Sequence, residues 1–240
     1  MLKEPRVGTA NSLSARMLAV VRAPRSLFEQ LATAPVWADV LAVAFLVTAL
    51  SSAVLLETER GRLALLDQWE RTALAFGQAV DDSEYAALEQ ASDNGAAYAI
   101  ASAIASGPLL TVALAAALFL LFRRTGGGTT FRQVLAVVAH TSVILMLRQV
   151  IATPAVYARE TLASPTTLSA FFTMLDETSP LARFFGIVDL FVIWWVVLLA
   201  IGMSVLFRQP ARRLTLAFMG TYVLLAGVLT IAMALTGGTV

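Results

Sequence analysis

The chain contains no cysteine and a single histidine, His140. The missing thiols exclude disulfides, thiolate metal sites and cysteine nucleophiles, and one histidine cannot build a zinc centre of the usual kind. Charge is scarce as well. Only 14% of the 240 residues are Asp, Glu, Lys or Arg, against roughly a quarter in a soluble domain. No Ser/His/Asp set, carboxylate dyad or metal cluster is visible in the sequence, so no enzyme, no catalytic residue and no cofactor is expected. The net charge of +1 is uninformative by itself, and no nucleic-acid partner is expected.

Apolar residues fill the gap, at 58% of the chain with a mean hydropathy of +0.78. Uncharged runs cover 40–56, 96–122, 190–207 and 214–240. Runs of about 18 or more apolar residues are long enough to cross a bilayer as helices. The expected fold is therefore all-α: a polytopic membrane protein with five transmembrane helices plus amphipathic interfacial helices. The spans are expected at about 37–57, 96–122, 131–152, 183–207 and 212–236, the third weakened by His140 and Arg148. They form a membrane domain over 37–240, with 1–36 as a cytoplasmic amphipathic segment and 58–95 as an outer helical segment. The mixed stretch before the first span is too long for the n-region of a cleavable signal.

Lys and Arg orient the spans, because cytoplasmic segments carry the excess. With the N-terminus inside and the C-terminus outside, the inner segments hold eleven Lys and Arg and the outer ones five, while twelve of the sixteen acids lie outside. The expected location is a bacterial cytoplasmic (inner) membrane. Within the N-terminal segment, Leu13, Met17, Val20 and Val21 share a helical face, and Leu27, Phe28 and Leu31 repeat it after Pro24. This pattern fits a helix on the inner leaflet, interrupted at the proline, or a surface helix packed on the protein. Over 60–90, Leu66, Trp69, Ala73, Phe76 and Val80 recur at steps of three and four, which predicts one amphipathic outer helix. Leu66, Trp69 and Phe76 are its candidate partner contacts. Ser164–Pro165 and Ser179–Pro180 each carry a cap residue and a proline at the first helical position, and predict two helix starts.

The run RRTGGGTTFRQ lacks the lysine and the spacing of a phosphate-binding loop and follows no strand; it reads as a tight inner turn. Gly107–Pro108 is expected to kink the second span. The candidate functional residues are the polar ones inside the membrane: Asp189, Arg148 and His140. At 1.5 Å per residue, His140 falls near the middle of the bilayer, while Arg148 and Asp189 fall at similar depths in its outer half. An unpaired charge at the bilayer centre costs about 2.5 to 3.5 kcal/mol. Either the two charges pair, or Arg148 reaches to the headgroups while Asp189 caps local polar groups.

Three stretches carry a resemblance to the bacterial Yip domain family, which is named for the Ypt/Rab-interacting proteins. SPLARFFGIVDLFVIWWVVLLAIGM resembles its fourth-span signature, with Asp189, Phe191, Trp194 and Gly202. GGGTTFRQVLAVVAHTSVILML is similar to its opening of span three, with Gly127, Gly128 and Phe131. AVVRAPRSLFEQLATAPVW resembles its segment before the membrane. The resemblance implies a five-span bundle without enzymatic activity. Its further implication is a non-enzymatic scaffold or accessory subunit of a membrane complex, with ABC exporter subunits or a periplasmic adaptor as partners beside the lipid bilayer. Self-association stays open. The alternative is a small transporter, ion conduit or lipid-translocating protein that uses the intramembrane polar residues.

Overall fold

The computed structural model describes residues 12–78, 80–124, 128–159, 164–172, 174–175 and 179–236. The regular elements among them are helices. α1 (Leu13–Arg22) starts at Ser12, whose hydroxyl accepts the Ala15 amide, and ends before Pro24. Pro24 disfavours helical geometry at the residue before it and is itself suited to a first helical position. It opens α2 (Pro24–Thr33), which buries Leu27, Phe28 and Leu31. α1 and α2 lie on the protein itself, against α7 (Phe131–Arg159) and α9 (Leu190–Phe207). Phe28 is completely buried, and Arg16 reaches Asp39 in an ion pair.

Five helices are long and apolar enough to cross a membrane: α3 (Ala38–Leu56), α6 (Gly95–Phe122), α7, α9 and α10 (Ala211–Thr236). α7 is the central one, packed against α3, α6 and α9, and every residue from 134 to 141 is buried. Small residues allow the close crossings. A Cβ on Gly202 of α9 would lie 2.3 Å from Val137 and 3.4 Å from Phe28, and one on Gly107 of α6 would lie 2.6 Å from Phe45 of α3. α6 runs on through Pro108 as one helix. Proline leaves the Ile104 carbonyl without its helical donor.

The chain thus has a basic face, with α1, α2 and the α6–α7 and α9–α10 connections, and an acidic face opposite. Over the acidic face, the single helix expected at 60–90 is two: α4 (Glu59–Ala75) and α5 (Asp82–Ser92). Gly77 stops α4. With φ +73 it lets the Gln78 amide reach Ala73 O at 2.9 Å and its own amide reach Leu74 O at 3.0 Å, the Schellman closure. Asp81 then starts α5 with a capping box, accepting from the Ser83 and Glu84 amides while Glu84 accepts from the Asp81 amide. Leu66 is buried within the fold, Trp69 packs on a small cluster of Ala53, Leu56, Leu65 and Ala96, and Phe76 is exposed. Of the three candidate partner contacts, Leu66 is therefore spent on internal packing.

The fourth span also departs from expectation. It is two helices, α8 (Pro180–Ile187) and α9, separated by Val188 and Asp189 in extended conformation. Ser179 caps α8 as its sequence predicts, accepting the Ala182 amide. Ser164–Pro165 starts no α-helix. Thr166 and Leu168 pair their backbones with the break in span four, and only a short 3-10 turn, Leu168–Phe171, follows.

Candidate functional site

The break in span four organises the site. Helix α9 begins inside apolar surroundings, where its first amides have no water to bond. Asp189 answers that need as the N-cap: one oxygen, Oδ1, accepts from the Phe191 amide at 2.8 Å and the Val192 amide at 3.4 Å. Its negative charge also sits at the positive end of the α9 dipole. The backbone on either side of the break is satisfied from elsewhere. Leu168 N donates to Val188 O at 2.8 Å and Leu190 N to Thr166 O at 3.0 Å, a short antiparallel bridge. From α10, the Tyr222 hydroxyl donates to Ile187 O at 2.9 Å and accepts from Asp189 N at 3.1 Å.

The second carboxylate oxygen, Oδ2, gathers three side chains. Arg148 Nε donates at 2.7 Å, the Thr166 hydroxyl at 2.6 Å and the Ser164 hydroxyl at 3.3 Å. The Asp189 side chain is 3% exposed and that of Arg148 33%. A charge-assisted contact of this length is among the stronger protein hydrogen bonds. The carboxylate thus joins α7, the 164–167 segment and α9, and Tyr222 brings in α10. Asp189 pairs with Arg148, as the first sequence alternative has it, and it also caps local amides, which is the Asp189 half of the second.

His140 is not part of this centre. It lies eight residues before Arg148 on α7, roughly 12 Å along the helix, with buried Val143, Ile144 and Met146 between them. Its Nδ1 bonds to Ala136 O at 2.8 Å, which makes Nδ1 the protonated nitrogen, and its buried Nε2 has no partner among the described residues. The polar line His140–Arg148–Asp189 is therefore interrupted by apolar packing.

The remaining motif residues serve packing and turns. Phe191 and Trp194 stand at ring centroids 6.1 Å apart and pack on the core. Phe131 meets Phe119 edge-on. Gly128 turns the chain with φ +83, and Gly127 lies outside the described residues. Two residues that the sequence reading left unassigned complete this corner. Gln133 accepts the Thr130 amide at 2.6 Å in a capping arrangement and donates to Ala32 O at the end of α2. Thr129 ties the same turn to Leu206 O at the end of α9, at 3.0 Å. The Thr-x-x-Gln spacing is a recognisable helix-start signal. Tyr222 carried none.

A family model described as the Yip1 domain matches residues 18–233. That span takes in α2 to α9 whole, the second half of α1, most of α10, and every element of the polar centre. No curated relative and no solved structure matches the chain.

Proposed function

This chain belongs to the Yip1 domain family, a family of membrane proteins, and we propose that it acts as a non-enzymatic scaffold or accessory subunit of a membrane complex. One observation carries the reading: each oxygen of the buried carboxylate is committed to joining elements of the bundle. Oδ1 closes the start of α9, and Oδ2 is shared among Arg148, Thr166 and Ser164. A relay or a substrate site needs a group that can exchange its partners, and a carboxylate accepting from five donors resists that exchange. The cationic partner is an arginine, which does not deprotonate and so holds the pair ionised.

In this reading the protein sits in the bacterial inner membrane with its basic face in the cytoplasm, in keeping with the charge asymmetry. Its partners are an ABC exporter subunit or a periplasmic adaptor, met on the acidic face. There α4 exposes Leu63 and Leu74, with Phe76 just beyond its end. A specific observation favours the second reading, a conduit or lipid-translocating protein: span four is broken within the apolar region, as transporter helices often are at their sites. One reconstitution separates the two. Purified protein in liposomes is expected to pass neither protons nor labelled lipid above empty vesicles, and to co-purify with an exporter subunit or adaptor less well when Leu74 and Phe76 are both changed to Gln. Flux by the protein alone, abolished by Asp189→Asn, would establish the second reading instead.

A further inference from the structure

The Arg148–Asp189 pair leaves one half of its chemistry unused. Asp189 is 3% exposed and accepts from Arg148 Nε, two hydroxyls and two amides, so its lone pairs are taken up. Arg148 spends only Nε on that contact. Its two η nitrogens carry four further N–H groups in a planar fork, have no hydrogen bond among the described residues, and belong to a side chain that is 33% exposed. The guanidinium is therefore held by one edge and open at the other.

The surroundings say what that open edge meets. Arg148 lies seventeen residues beyond Phe131, the start of α7. At 1.5 Å per residue this is about 25 Å into a hydrocarbon layer about 30 Å thick. The guanidinium thus stands just below the boundary on the acidic face, within the reach of a snorkelling side chain. On its own face of α7, Ile151 follows one turn on, and Leu190 adjoins Asp189; both are apolar and more than 40% exposed. This setting faces acyl chains rather than water, and the anion that borders acyl chains in a membrane is the lipid phosphate. A guanidinium fork matches two phosphate oxygens with parallel hydrogen bonds. We propose that the free edge of Arg148 is a seat for the phosphate of a phospholipid in the leaflet at the acidic face, with Asp189 fixing the angle at which the fork is presented. The seat rests on the geometry of the pair and not on the scaffold reading, so a flux measurement leaves it untouched.

The test uses the full chain purified in a nonionic maltoside, with three probes at equal concentration. These are dioleoyl phosphatidylglycerol, a phosphate-free glucosyl dioleoylglycerol with the same acyl chains, and soluble glycerol 3-phosphate. Native mass spectrometry reads retained lipid, and the thermal midpoint is followed in parallel. The expected result for the wild-type chain is about tenfold stronger retention of phosphatidylglycerol than of the glycolipid, the size of one charge-assisted contact. Arg148→Gln is expected to remove that preference. Arg148→Lys keeps a charge against Asp189 but has no fork, so it is expected to keep most of the lipid-free thermal midpoint while losing most of the preference. It also decides the matter if Arg148→Gln does not fold. Equal retention of the two lipids by the wild-type chain, or an unchanged preference in Arg148→Lys, would overturn the seat. A midpoint shift from glycerol 3-phosphate as large as that from phosphatidylglycerol would overturn the lipid assignment and leave a site for a free phosphate.

Discussion

The Arg148–Asp189 contact makes a quantitative prediction for a double-mutant cycle. Breaking a fully buried ion pair by removing one partner costs about 3–5 kcal/mol. Arg148 is a third exposed, so solvent screens part of the interaction, and in Arg148→Gln the Asp189 carboxylate keeps its hydroxyl and amide donors. We therefore expect about 2 kcal/mol for that change. In Asp189→Asn the amide oxygen can still cap α9, since asparagine is as good an N-cap as aspartate. The second acceptor, however, becomes an NH₂ group: the Thr166 hydroxyl can turn to accept from it, but Arg148 Nε can only donate. Losing the charge and leaving two donors face to face is expected to cost about 2–3 kcal/mol. In the double variant the glutamine and the new amide can bond each other, so the loss is about 3 kcal/mol, which gives a coupling of about 1–2 kcal/mol. Unfolding in mixed micelles by titration with dodecyl sulfate measures all four corners, and Trp194 and Trp195 report on it from the second turn of α9. Additivity within about 0.5 kcal/mol would refute the claim that the contact, and not each side chain separately, stabilises the break.

Other predictions follow from particular contacts. Gly202→Ala places a methyl group 2.3 Å from Val137, so α9 must move off α7 and α2, and stability in the same titration is expected to fall by about 1–3 kcal/mol. The Asp81 carboxylate accepts from the Ser83 hydroxyl and the Glu84 amide, which hold its pKa below the ordinary aspartate value. Because the folded pKa is the lower one, the cap's contribution is present above the ordinary value of 3.8 and is lost as pH falls through the depressed one. Amide exchange in α5, compared with Asp81→Asn, is expected to show lost protection only in that acidic window; protection that declines already near neutrality would contradict it. Finally, a reporter active only outside the cytoplasm is expected to be silent when fused at residue 127 and active when fused after residue 240; the reverse at either site would remove the orientation proposed for the basic face.

Most of the bundle was legible because crossing a membrane is decided by summed hydropathy, a property of composition over some twenty residues that neighbouring chain cannot override. The third span shows how far this goes. His140 and Arg148 weaken its hydropathy, yet α7 is the most enclosed helix of the five, with His140 Nδ1 bonded to Ala136 O and Arg148 Nε to Asp189. The split of 60–90 has a local signal of its own. Gly77 and the Asp81/Glu84 capping pair stand in the sequence, but the apolar spacing runs on across them, and a periodicity test alone does not register the stop.

The break in span four belongs to a different class. Ser164–Pro165 and Ser179–Pro180 are equivalent local signals, yet only the second starts an α-helix. What separates them is partnership at long range. Thr166 and Leu168 have the open backbone of Val188 and Leu190 to pair with, while the residues after Pro180 do not. Asp189 had the local form of an N-cap, a short acidic residue just before an apolar run, but an uninterrupted span would have buried it as a lone carboxylate. The choice between an intact helix with a stranded charge and a broken helix with a capped one turns on donors that come from elsewhere: Arg148 on α7, Thr166 in the preceding segment and Tyr222 on α10. An intact helix would satisfy its own amides and leave the carboxylate to Arg148 alone. The broken one exposes backbone groups at residues 187–190 and finds a partner for Ile187 O, Val188 O and the amides of Asp189 and Leu190. That satisfaction is a property of the assembled bundle, so the aspartate could be singled out from the sequence while the break it caps could not.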